Sequence, residues 1–471
     1  MTAPGTETSP LRVAIVGSGP SGFYAAGHLL SAKGRPDLVV EVDMFDRLPT
    51  PWGLVRGGVA PDHPNIKAVS RVFEKTAARP GFRFFGNVAM GRDISHEDLV
   101  SRYHAVIYAV GAETDKRLGI PGEDLPGSVA ATEFVAWYNG HPDYRDHEFD
   151  LSSQRVVVVG NGNVAMDVAR MLAITPAELA GTDVADHALE LLNSHAIEEI
   201  VVLGRRGPAQ AAFTNPELLE LGEMLDADVI VDPGDVALDE HSVRSIESEG
   251  DLTARRNVEI LTGYSEREPA GKRRRIILRF LVSPVAIHGG DRVEAVELVH
   301  NEIGYDKDGV LRAVATERRE TLEAGMVLRS IGYRGIALPG VPFDERRATI
   351  PHEAGRVIDP QTGAPMRGEY TVGWIKRGPS GVIGTNKKDA HETVDSLLAD
   401  LDRGVLLDPA DPAPEAVEAL LTERRPDHVT YAGWQAIDRA ERAAGEPHGR
   451  PRVKLCSFDA LLAAAYDRAA S

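Results

Sequence analysis

An α/β fold is predicted, made of two three-layer units on mostly parallel sheets, the second inserted into a discontinuous first. Three observations predict it. A β-branched run, a glycine turn and a helical run follow one another at residues 11–32 and again at 155–172. A later apolar run, 327–334, echoes residues 105–112 and marks the return of the chain to the first unit. Strands buried on both faces and alternating with helical runs are the pattern of parallel βαβ architecture.

The stretch 154–207 carries the clearest unit. Arg155-Val156-Val157-Val158-Val159 reads as a buried strand, and Gly160-Asn161-Gly162-Asn163-Val164-Ala165 turns it into the helical run 166–172. Glycines at such a turn let backbone approach a pyrophosphate, while the helix start offers free N–H groups and a positive dipole end. Asn161, Gly162, Asn163 and Val164 are therefore candidate nucleotide contacts. Ala165 fills the third glycine position, as the motif permits. The strand 200–203 then ends in Gly204-Arg205-Arg206-Gly207. An acid at that place binds a ribose 2′-hydroxyl, whereas Arg205 and Arg206 suit a 2′-phosphate, so this Rossmann-type unit is read as NADP-binding.

The N-terminal unit has the opposite ending. Strand 11–16 runs into Gly17-Ser18-Gly19-Pro20-Ser21-Gly22, and the second strand, 39–45, ends in Asp46. The polar loop 33–37 stretches the spacing beyond the usual ~20 residues. Asp46 reads either as the ribose-binding acid or as an ordinary strand-end carboxylate, and the complete unit around it favours the ribose. One unit for a free ribose and one for a 2′-phosphate make FAD and NADP the simplest pair.

Composition narrows the class. The chain of 471 residues has 52 basic and 71 acidic side chains, a net charge of −19, which argues against general affinity for nucleic acid or anionic membranes. No apolar run reaches membrane-spanning length. Residues 1–10 show no signal-peptide pattern and read as a disordered tail. Cys456 is the only cysteine, which excludes a disulfide framework, a Cys-x-x-Cys redox pair and a self-contained cysteine-ligated iron–sulfur cluster. A cytoplasmic soluble enzyme is the expectation.

Two further segments carry a resemblance. Pro51-Trp52-Gly53-Leu54-Val55-Arg56-Gly57-Gly58-Val59-Ala60-Pro61-Asp62-His63 is an ordered Gly/Pro loop, and Trp374-Ile375-Lys376-Arg377-Gly378-Pro379-Ser380-Gly381-Val382-Ile383-Gly384-Thr385-Asn386 is a glycine-rich turn opening a helix. Both are similar to signatures of the adrenodoxin-reductase-like ferredoxin–NADP reductases of the glutathione-reductase type, and the likeness runs from Arg12 to about Leu455. The resemblance implies an FAD domain at 11–112 and 345–471 and an NADP domain at 113–344. It implies that Leu54, Val88, Trp374, Gly381, Val382 and Ile383 lie against FAD, with Gly381 shared by NADP, and that Glu217 lies near the nicotinamide. His63 is placed near flavin and nicotinamide, and it reads equally as a loop histidine between prolines or as a proton-transfer group. Glu220, three residues after Glu217 on the same helix face, reads equally as a solvated carboxylate or a second proton group. Lys116 stands where family members can carry an NADP-contacting arginine, keeping the charge and losing the planar fork.

The remaining segments are read more simply. Residues 175–194 read as two extra helices, 232–250 as an acidic surface insert, and 276–282 with 293–299 as strands of one small sheet. Lys272-Arg273-Arg274-Arg275 reads as a solvated face or hairpin turn, and it and Arg255-Arg256 are the basic clusters able to meet an acidic partner. The tail from Arg424 reads as helices on the flavin domain, without chemistry. The expected activity is NADPH–ferredoxin reduction. An NADPH-dependent diaphorase or a redox-sensing flavoprotein without a ferredoxin is the alternative.

Overall fold

The computed structural model describes residues 4–31, 34–249 and 251–467. The chain divides into two compact units, one of residues 1–59, 63–114 and 333–471, the other of 60–62 and 115–332.

In the first unit an eight-stranded sheet runs in the order His352–Glu353, Arg356–Ile358, Pro365–Thr371, Ala105–Tyr108, Leu11–Val16, Val40–Phe45, Phe82–Gly86, Val429–Thr430. The strands from Pro365–Thr371 to Phe82–Gly86 are parallel, and the two edges turn antiparallel. Alternation along Leu11–Val16 sends Val13 and Ile15 into one core with Phe23, Trp52, Phe73 and Trp434. Ala14 and Val16 face the other core, with Phe45, Phe85 and Tyr103. The helices Pro20–Ser31 and Thr385–Asp402 cover the first face.

The second unit holds a six-stranded sheet, Ser128–Ala130, Met326–Arg329, Arg155–Val159, Glu199–Leu203, Arg274–Arg279, Ala227–Val231, parallel throughout. A separate three-stranded antiparallel sheet is made of Val282–His288, Ala295–Tyr305 and Leu311–Glu323. The helices Pro176–Ala180 and Asp186–Ser194 form where the sequence places them, the first with a reciprocal capping box between Thr175 and Glu178. The acidic insert holds the helix Glu240–Glu249, and its Gly250 lies outside the described residues.

Several readings need correction. The strand Arg274–Arg279 joins the large parallel sheet, between Glu199–Leu203 and Ala227–Val231, not the small one. Arg274 is therefore buried and pairs with Asp226 at 3.2 Å, while Lys272 Nζ donates to Met224 O at 2.6 Å. Lys272 and Arg274 are thus structural, while Arg273 and Arg275 are exposed. The inserted unit ends at Gly332, ahead of the expected 344. Residues 5–9 are folded: Gly5 O accepts from Val39 N–H at 2.9 Å and Thr6 bridges Ser9. Residues 1–3 of the expected tail lie outside the described residues.

The tail does more than cover the core. Glu441 on helix Tyr431–Gly445 is fully buried, and Arg56 of the Gly-Leu-Val-Arg loop donates to it at 2.8 and 2.5 Å. Arg452 and the Leu455 N–H complete its shell at 3.0 and 2.8 Å. Burial alone would raise this carboxyl; the Arg56 and Arg452 guanidiniums and the Leu455 amide outweigh it and hold it below the usual range. A depressed carboxyl stabilises the fold above its unfolded pKa, and that contribution is lost as pH falls through the folded value. Removing one partner of a buried pair costs about 3–5 kcal/mol. Glu441→Gln should lower the urea midpoint at neutral pH, and the gap from the parent should narrow on acidification; a gap independent of pH would contradict this.

Candidate nucleotide sites

In the first unit the glycine turn is built by exclusion. Gly17 has φ +107°, and a Cβ there would stand 2.5 Å from Ala109 O. A Cβ on Gly22 would stand 2.3 Å from Gly17 O, whereas one on Gly19 would meet nothing within 4 Å. The outer glycines are thus required by the turn and by close helix packing, and the middle one is open to a ligand, the division of labour a pyrophosphate needs. Asp46 accepts from Ser18 N at 2.9 Å, Ser18 Oγ at 2.5 Å and Leu48 N at 2.9 Å. It both braces the turn and keeps one acceptor site, on Oδ1, for a further donor.

The other expected residues of this unit gather unevenly. A Cβ on Gly53 would stand 2.9 Å from Gly19 Cα, and one on Gly373 would stand 2.4 Å from Ser21 Oγ. The Leu54 loop and the Trp374 turn therefore close on the first turn of helix Pro20–Ser31, beside Pro20 and Ser21. Trp374 begins the short helix Trp374–Arg377, where Gly373, at φ +77°, breaks the extended chain. Its Nε1 donates to Ser380 O at 3.2 Å, and Tyr333 packs against it at 5.1 Å. Gly381, at φ +78°, leads to Val382, 54% exposed, and to Ile383, which leans on the core. Val88 donates its N–H to Asp46 O at 2.8 Å, but its side chain is a core residue. His63 is buried and precedes the short helix Pro64–Lys67, its carbonyl accepting from Lys67 N–H at 3.2 Å.

The second unit repeats the construction. Gly160 has φ +120°, and a Cβ there would stand 2.1 Å from Ser330 O. Gly162 is open, its nearest neighbour Ala212 Cβ at 4.0 Å, and Ala165 is fully buried. Asn161 Nδ2 is buried without a hydrogen-bond partner, an orphan donor of the kind a bound acceptor satisfies. Asn163 braces the turn: its Oδ1 accepts from Thr214 N–H at 2.8 Å and ties the following loop to it, with Val164 in the first turn of helix Asn163–Ala173. Lys116 is exposed, and its N–H donates to Gly332 O at 3.0 Å.

Arg205 is exposed and Arg206 half-buried, and among the described residues neither is in an ion pair. Burial, then the neighbouring Arg205 and Arg312, push the Arg206 guanidinium below its ordinary value. Arg312 is itself paired with Asp306 at 2.8 Å, so the charge left uncompensated is that of Arg205 and Arg206.

Glu217 and Glu220 meet a residue that sequence reading passed over. Arg170, buried on helix Asn163–Ala173, contacts Asp62 at 2.6 Å, Asp167 at 2.7 Å, and Glu217 and Glu220 each at 3.2 Å. Burial opposes its charge, but the bond to Asp62 and the fields of Asp167 and Glu217 outweigh it and raise the guanidinium above the arginine range. The sign of this cluster was not visible in sequence because Asp62 and Glu217 lie far from Arg170 along the chain. Arg170→Met should cost about 3–5 kcal/mol at neutral pH by leaving buried Glu217 unpaired among three further carboxylates. Thermal melts at neutral pH check this; a variant within about 1 kcal/mol of the parent would contradict the cluster's role.

The family model described as pyridine nucleotide-disulphide oxidoreductase matches residues 11–201. The NADPH-ferredoxin reductase FprA of Mycobacterium leprae is 54% identical over 454 residues, covering 96% of this chain and 97% of that protein. The mitochondrial NADPH:adrenodoxin oxidoreductase of Arabidopsis thaliana is 40% identical over 474 residues, covering 98% and 96%. The solved structure of Mycobacterium tuberculosis FprA in complex with NADPH superposes with a TM-score of 0.91 at 51% identity, covering 97% of this chain and all of that one. The resemblance read from the two signature segments is borne out over nearly the whole chain, and the chain belongs to the adrenodoxin-reductase-like family of ferredoxin–NADP reductases.

Proposed function

We propose that this chain is an FAD-dependent ferredoxin–NADP oxidoreductase, taking a hydride from NADPH and delivering single electrons to an acidic ferredoxin-type iron–sulfur protein. One observation carries the reading: two glycine turns of the same construction have opposite charges beside them, Asp46 at one and the carboxylate-free Arg205 and Arg206 at the other. Bound FAD supplies the chemistry, accepting two electrons together and releasing them singly.

The chain's own residues bind and orient. Gly17, Gly19, Pro20, Ser21 and Asp46 suit the pyrophosphate and ribose of FAD; Leu54, Val88, Trp374, Gly381, Val382 and Ile383 are proposed to surround the rest of it. Asn161 through Val164 suit the pyrophosphate of NADPH, Arg205 and Arg206 its 2′-phosphate, and Lys116 and Glu217 are proposed further contacts. Hydride transfer depends on stacking and orientation more than on a strong acid or base. His63 and Glu220 are accordingly proposed for proton exchange with solvent. With Arg274 buried, Lys272 bonded to Met224 O and Arg275 paired with Glu199, the exposed Arg255 and Arg256 on helix Leu252–Ser265 are the cluster proposed to meet an acidic partner. No helix among the described residues is long and apolar enough to cross a membrane. The single cysteine supports a cytoplasmic setting.

Ferredoxin-stimulated cytochrome c reduction with NADPH, and far less with NADH, is the expected assay result; rapid flavin reduction without ferredoxin stimulation would favour a diaphorase. Charge-assisted hydrogen bonds contribute roughly 1.5–3 kcal/mol. Arg205→Ala should therefore weaken NADPH by about one to two decades and leave NADH nearly untouched. Equal losses with both cofactors would sink the 2′-phosphate role.

A further inference from the structure

The arginine pair is held by the small antiparallel sheet. Asn301, buried at 7% exposure, lies on strand Ala295–Tyr305, where the register against Leu311–Glu323 shifts between Val299 and Asn301. Such irregularities re-aim a side chain, and this one faces the arginine loop. Asn301 Nδ2 donates to Arg205 O at 2.9 Å and to Ser283 Oγ at 2.8 Å. The Asn301 N–H donates to Leu281 O at 2.7 Å, and the Leu281 N–H donates to Arg206 O at 3.2 Å. Both arginine carbonyls are thus accounted for through Asn301 and its partner.

Leu281 holds φ +54°, a left-handed conformation unusual for a residue with a side chain and maintained only where the surroundings over-determine it. Gly204 is clasped from the same side, its N–H donating to Arg279 O at 2.8 Å and its carbonyl accepting from Val282 N–H at 3.1 Å. Adjacent guanidiniums repel, so a main chain free to turn would carry them apart. Fixing their carbonyls keeps both side chains available to one anion, and preorganisation of this kind strengthens binding without a new ligand contact.

We propose that Asn301 is a positioning residue for 2′-phosphate recognition, acting through the main chain of Arg205 and Arg206. The inference rests on the reading of that pair as the 2′-phosphate site.

The test is calorimetric titration of the full chain with 2′,5′-ADP and with 5′-AMP, ligands that differ in the 2′-phosphate alone. The parent should bind 2′,5′-ADP more tightly than 5′-AMP. Asn301→Ala should weaken 2′,5′-ADP by about three- to ten-fold and leave 5′-AMP within about two-fold. Ser283→Ala retains the bond to Arg205 O and should leave both ligands within about two-fold. No loss in Asn301→Ala, or equal loss for both ligands, overturns the proposal while leaving the arginine reading intact. A parent that does not discriminate between the ligands overturns the arginine reading and the proposal with it. Asn301→Leu, of similar volume and without a donor, takes the place of the alanine variant if that one does not fold, with the same outcomes.

Discussion

The first glycine of each nucleotide turn lies where no side chain can be accommodated, and the placing of both sites follows from that. Gly17 is pressed against the carbonyl of Ala109, and Gly160 against that of Ser330, each at the end of the strand neighbouring its own. A turn held so tightly must bend at once into its helix, leaving the helix start and the middle glycine facing the crevice beyond the strand ends. In each unit the strand carrying the turn stands between the two strands that flank it in the sheet, the place where open α/β sheets take their ligands. Asp46 and the Arg205–Arg206 pair both sit at the ends of the next strand over, where a ribose substituent is read.

Charge in this chain has two distinct uses. Arg12, Arg83 and Tyr103 converge on buried Asp43, Arg56 on Glu441, and Arg170 on four carboxylates. These groups are paired because an unpaired buried charge costs several kcal/mol, about 3–5 when one partner is removed. Arg205 and Arg206 are only partly buried and lack such partners among the described residues, so their field stays available to an external anion. That contrast supports the recognition role proposed for Arg205 and Arg206.

The strands, the two turns and the opposite endings were legible in the sequence because each is local: a β-branched run, glycines at fixed spacing, a charge at a strand end. What escaped depends on pairing across the chain. The run 272–275 has the composition of a solvated turn, but its third residue pairs with Ala227 in a parallel sheet, and nothing local marks Asp226 as its partner. The tail looked inert because Glu441 acquires meaning only beside Arg56, as Asn301 does only beside the Arg205 carbonyl. The bond by which Asn163 Oδ1 holds the Thr214 N–H likewise joins residues far apart in the chain.

The central claim is that the two turns hold different nucleotides and that electrons pass from one to the other. Anaerobic rapid mixing of the purified protein with NADPH or NADH, following loss of the oxidised-flavin absorbance and its return on adding ferredoxin, tests it most directly. Fast bleaching by NADPH, much slower bleaching by NADH, and prompt recovery with ferredoxin are predicted. A chain that carries flavin but is not bleached by NADPH, or is bleached equally by both nucleotides, would contradict the account.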